Sequence, residues 1–159
     1  MREDDPLLLG GVNVSAAALT GMLRRQEASE AGVVVGVGID LTAMRRIDAV
    51  ARRPGLFSRF AAILLSPSER GLLDASASPV RHLARVWAVK EAVYKALPGP
   101  KPLFAACLRA IRVARHTSRP RLHVDRRLLN FPGACSIRAI LAESDAAVLA
   151  AAVLSRPAP

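Results

Sequence analysis

Pro98-Gly99-Pro100 ends a stretch that holds no other proline or glycine back to Pro79. Prolines lack the amide hydrogen a helix interior needs, so the pattern predicts one long helix over residues 79–97. Val86, Val89, Val93 and Leu97 form one stripe and are expected to face a core, with Lys90, Glu91 and Lys95 off it. His82 is expected at the surface. Within the helix, Trp87-Ala88-Val89-Lys90-Glu91-Ala92-Val93-Tyr94-Lys95-Ala96-Leu97 sets an acid between two cations. Glu91 and Lys95 are four apart and are neighbours on one face. A carboxylate can hold a divalent cation and an ammonium a phosphate, a pairing suited to phosphoryl chemistry. The plainer reading is an exposed ion pair worth about 0.3–0.5 kcal/mol.

A second acid weighs against the plainer reading. Val33-Val34-Val35-Gly36-Val37-Gly38-Ile39-Asp40-Leu41 is rich in β-branched residues and reads as a buried strand delivering Asp40 near its end. Gly36 and Gly38 allow another backbone to come close; their spacing does not make a dinucleotide fingerprint. The structural alternative for Asp40 is the N-cap of a helix expected over residues 42–51. That helix is basic, with Arg45, Arg46, Arg52 and Arg53, and Ile47 and Val50 supply its inward side; Arg59 follows. Ser66-Pro67-Ser68-Glu69 has the form of a capping box, which makes Glu69 a helix-starting residue.

The second half reads as strands: an alternating run over 108–114, a short one over 121–124, and a closing hairpin of 137–142 with 147–154 around Glu143-Ser144-Asp145. The expected fold class is α+β, an antiparallel-rich sheet packed on a long helix. Residues 1–32 read as an N-terminal extension, partly helical or flexible, with a short helix over 15–27; residues 33–156 form the main domain. The 159 residues are 52 % hydrophobic and only 4 % aromatic, so the core is built mainly of Val, Leu, Ile and Ala. A net charge of +10 calls for an acidic partner without saying which. Cys107 and Cys135 lack metal-ligand spacing and are expected as reduced, buried thiols in a cytoplasmic protein. His116 and His123 fit no ligand pattern. The start Met1-Arg2-Glu3-Asp4-Asp5 reads as too acidic for a signal peptide, and no apolar run is long enough to span a membrane.

Gly38-Ile39-Asp40-Leu41 with Arg46-Ile47, then Phe57 and Arg59, Ser66-Pro67-Ser68-Glu69, and Leu83-Ala84 leading to Trp87-Ala88-Val89-Lys90-Glu91-Ala92 and Lys95-Ala96 follow one another in a familiar order. Over residues 33–97 the chain resembles the holo-acyl-carrier-protein synthases, the small trimeric class of 4′-phosphopantetheinyl transferases. The resemblance implies Mg²⁺-dependent transfer of phosphopantetheine from coenzyme A to a serine of an acidic apo acyl carrier protein, in fatty-acid or polyketide biosynthesis. It implies a homotrimer with active sites between subunits. Asp40 and Glu91 would hold the Mg²⁺, with Lys95 as the third catalytic residue. Lys95 and Arg85 would contact coenzyme A, Lys90 would either contact it too or serve the structure, and Arg45, Arg46, Arg52, Arg53 and Arg59 would grip the carrier protein.

Departures from the family pattern cluster where coenzyme A binds. Pro98-Gly99-Pro100 replaces a glycine-rich turn, and Val86 stands where an arginine is usual, with Arg85 one position earlier. Ser118-Arg119-Pro120 replaces Gly-Lys-Pro, and Glu143-Ser144-Asp145 replaces a Ser-His pair. These changes suit a second reading, a weak or inactive homologue that docks on a carrier protein. A third, a nucleic-acid-binding module using Arg109, Arg112, Arg115, Arg119, Arg121, Arg126 and Arg127, stands below both because aromatics for base stacking are scarce.

Overall fold

A computed structural model describes residues 7–9, 12–14, 32–100, 103–115, 117–125 and 135–158. Its centre is a three-stranded antiparallel sheet in the order β3 (Gly32–Ala43), β7 (Ala147–Pro157), β6 (Ser136–Glu143). In β3 and β7, Gly38 stands opposite Ala152 and Asp40 opposite Ala150; in β6 and β7, Leu141 stands opposite Ala150. A second pair, β4 (Ile111–Arg115) with β5 (Arg121–Val124), and a short hairpin, β1 (Leu7–Leu9) with β2 (Val12–Val14), complete the strands. The helices are α1 (Met44–Ala51), α2 (Leu56–Leu64), α3 (Pro67–Asp74), α4 (Pro79–Ala96) and α5 (Phe104–Ala110). The α+β class with an antiparallel sheet on a long helix is thus the observed one.

Helix α4 lies across the sheet, touching all three of its strands, with α1, α3 and α5 against its other sides. Val86, Val89 and Val93 are fully buried, as the stripe predicts, and so are Leu83, Ala84, Ala88 and Ala92. A helix apolar on most of its circumference is buried between layers. Each large side chain so covered contributes about 1.5–3 kcal/mol. Ser78 and Pro79 start the helix, and Leu97 ends it in an extended conformation just before Pro98. Phe60, Trp87, Phe104 and Tyr94 form a chain of tilted and edge-on ring contacts that ties α2 and α5 to α4.

Several local expectations shift. The helix expected over 42–51 begins at Met44, because β3 continues through Ala43 and the Met44 amide donates to the Ala146 carbonyl at 2.8 Å. The strand expected over 108–114 is a helix up to Ala110 and a strand only from Ile111; Pro102 followed by an alanine-rich run is the signal for that helix. His82 is buried, not at the surface. The hairpin Leu7–Leu9/Val12–Val14, which comes close to β6 and β7, was not expected in the extension, and the helix expected over 15–27 lies outside the described residues. Cys107 and Cys135 are both buried, as expected.

Candidate active site

Two glycines set the site. A Cβ on Gly36 would overlap the Ala96 carbonyl, and one on Gly38 would overlap the Ala92 carbonyl and fall 2.6 Å from the Ala96 nitrogen. Only glycine lets the helix backbone lie this close to the strand. Residues 36, 38 and 40 alternate onto one face of β3, so Asp40 continues the row that α4 covers, beside the turn of α4 carrying Glu91 and Lys95.

The Lys95 ammonium donates to Asp40 Oδ1 at 2.7 Å and to the Ile39 carbonyl at 3.1 Å. Thr42 Oγ1 donates to Asp40 Oδ2 at 2.7 Å. The Asp40 side chain is 13 % exposed and that of Lys95 44 %. Asp40 is not a helix cap, since α1 has Ala43 at its N-cap and no side-chain cap bond. Burial raises the proton affinity of Glu91, the Asp40 carboxylate raises it further, and Lys95 and Arg46 oppose the rise. Asp40, Lys95 and Arg46 therefore all act electrostatically on Glu91, although Asp40 and Arg46 are far from it in sequence. These four are the residues the sequence points to; Thr42 is not among them, and its only signal is its place two residues after Asp40 on the same strand face.

The donors suit a hard divalent cation. Mg²⁺ is ordinarily held by one or two carboxylates together with phosphate oxygens and water, and Asp40 with Glu91 supplies two. Among the described residues no group of three His, Cys, Asp or Glu side chains could hold a metal.

Of the two roles open to Lys90, the coenzyme contact gives way to the structural one. Its side chain is completely buried, and its ammonium donates to Glu69 Oε2 at 2.9 Å, the Leu64 carbonyl at 2.7 Å and the Leu108 carbonyl at 2.8 Å. An ammonium has three hydrogens, and all are used within the protein, so Lys90 has none left for coenzyme A. Burial lowers its proton affinity, and Glu69 opposes that. Glu69 forms the expected capping box with Ser66 and also accepts from the Val113 amide at 2.8 Å. The pair joins α3, α4, α5 and β4.

Arg85 is engaged as well: its guanidinium meets Glu143 in a two-point pair, with Nε at 2.8 Å from Oε2. Arg81 reaches the Ser144 carbonyl at 3.3 Å and Asp145 at 3.0 Å. The two arginines fasten the first half of α4 to the β6–β7 turn. Arg45, Arg46, Arg52, Arg53 and Arg59 are all exposed on α1, α2 and the turn between them, and none forms an ion pair with a described acid. Arg109, Arg112, Arg119 and Arg121 are exposed; the side chains of Arg115, Arg126 and Arg127 and His116 lie outside the described residues.

Among known proteins, the mitochondrial holo-[acyl-carrier-protein] synthase of Eremothecium gossypii is 36 % identical over 101 residues, covering 58 % of this chain and 56 % of that protein. The holo-[acyl-carrier-protein] synthase of Serratia proteamaculans is 48 % identical over 63 residues, 40 % of this chain and 48 % of that one. The chain thus spans about half the length of these curated relatives. The crystal structure of the Neisseria meningitidis holo-[acyl-carrier-protein] synthase shares the fold, with a TM-score of 0.66 at 24 % identity over 77 % of this chain and 98 % of that one. The model of the 4′-phosphopantetheinyl transferase superfamily matches residues 36–152, and the chain belongs to that family.

Proposed function

We propose that this chain is a holo-acyl-carrier-protein synthase, which moves 4′-phosphopantetheine from coenzyme A to a serine of an apo acyl carrier protein and releases adenosine 3′,5′-bisphosphate. The observation that carries the reading is the ion pair of Asp40, from the strand, with Lys95, from the helix, across the glycine contact, with the Asp40 charge also acting on Glu91 one turn earlier. In this reading residues 33–156 carry the activity and residues 1–32 are an appended segment.

Asp40 and Glu91 would hold a Mg²⁺ ion, which when bound neutralises charge on the pyrophosphate. Lys95, with a long and half-exposed side chain, would exchange its bond to Asp40 for a coenzyme A phosphate. Glu91 is our choice of carboxylate to accept the serine proton. The exposed arginines 45, 46, 52, 53 and 59 would meet the acidic carrier. Val37, Ile39 and Leu41 alternate along β3 and are 49 %, 52 % and 37 % exposed on this edge strand. Such an apolar row favours a covering partner, here further copies in a homotrimer, and a cytoplasmic setting goes with the reading.

The two-point pair of Arg85 with Glu143 favours the second reading, a carrier-docking homologue with little transfer, since a coenzyme phosphate would have to displace a carboxylate. The tilted and edge-on packing of Phe60, Trp87, Tyr94 and Phe104 against one another weighs against nucleic acid. Mass spectrometry of an apo carrier protein incubated with the chain, coenzyme A and Mg²⁺ decides. The transferase adds a phosphopantetheine mass, and Asp40→Asn or Glu91→Gln abolishes the gain. Carrier binding without added mass establishes the docking homologue instead.

A further inference from the structure

We propose that Thr42 is a positioning residue that fixes the Asp40 carboxylate for cation binding. This inference rests on the metal reading above and assigns the work to a side chain outside the expected set. Thr42 is 2 % exposed and lies in β3 opposite Val148 of β7, so its backbone is held by the ladder and its short branched side chain has little freedom. From there Oγ1 donates to Asp40 Oδ2 at 2.7 Å.

The two oxygens of Asp40 are thereby made unequal. Oδ2 is tied to a buried, immobile hydroxyl. Oδ1 is tied to the Lys95 ammonium, which sits on a flexible four-carbon stem and is 44 % exposed. An incoming cation displaces the mobile partner and leaves the fixed one, so Oδ1 is the oxygen offered, and Thr42 keeps the carboxylate plane from turning when Lys95 departs. Partners of this kind orient a ligating carboxylate, and losing one typically weakens metal binding about 10–100-fold.

The test titrates Mn²⁺, followed by electron paramagnetic resonance, into the full chain with coenzyme A and no carrier protein. Thr42→Val keeps the shape without the hydroxyl and should weaken Mn²⁺ binding by about 10–100-fold; Thr42→Ser, which keeps the hydroxyl, should restore most of it. Thr42→Ala, also without the hydroxyl and adding no bulk, repeats the comparison if the valine variant does not fold. Valine or alanine variants that bind as the parent does, or a serine variant as weak as these, would overturn the inference. Asp40→Asn tells the two levels apart: if it binds Mn²⁺ as tightly as the parent, the metal assignment itself falls, whereas loss there with no effect at Thr42 leaves the metal site and removes only the role of Thr42.

Discussion

Lys90→Met should cost this protein much of its stability without touching the proposed coenzyme site. Methionine keeps the length and removes the charge, leaving Glu69, 2 % exposed, with the Ser66 and Val113 amides as its remaining donors. The Leu64 and Leu108 carbonyls lose their ammonium contacts. Removing one partner of a buried pair costs about 3–5 kcal/mol, against a typical total of about 5–15 kcal/mol. At about 2–4 °C per kcal/mol for a domain of this size, the midpoint should fall by roughly 6–20 °C. Urea unfolding followed by circular dichroism, at fixed protein concentration, measures the difference. Lys90→Met with Glu69→Gln should regain part of the loss, because the amide can still accept from the amides and needs no counter-ion. A single variant that loses less than about 1 kcal/mol while its coenzyme A affinity drops would refute the reasoning, and would return Lys90 to the phosphate-binding set.

Gly38→Ala should separate Asp40 from Glu91 and Lys95, since the new methyl must push α4 off the strand; overpacking of this kind costs about 1–3 kcal/mol, and a variant with unchanged unfolding and unchanged metal affinity would contradict the close-contact account. Glu91 carries a raised proton affinity in the folded protein, so its contribution to stability is present at acid pH and is lost as pH rises through and above the usual glutamate range. Mg²⁺ should offset that loss and release protons on binding; thermal unfolding against pH with and without Mg²⁺ reads both, and parallel curves would sink the assignment. Arg46→Glu should slow association with an acidic carrier protein and flatten its salt dependence, measurable by surface plasmon resonance; an unchanged association rate would remove Arg46 from the docking face.

The sequence by itself determined the long helix, the strand that carries Asp40 and the closing hairpin, but not α5 or the hairpin of β1 and β2. Pro98-Gly99-Pro100 and the apolar stripe fixed where α4 ends and which side it buries, and the β-branched run with Gly36 and Gly38 foretold a strand another backbone could approach. Short-range rules suffice there, because breakers, caps and periodicity act within a few residues. The tertiary structure decided what each charge is for. Lys90 and Glu91 are adjacent in the chain, yet the helix turns about 100° between neighbours, which sends Lys90 to Glu69 in the core and leaves Glu91 within reach of the Asp40 charge. Likewise the partner of Arg85 is Glu143 and that of Asp40 is Lys95, residues whose nearness depends on how the helix crosses the sheet.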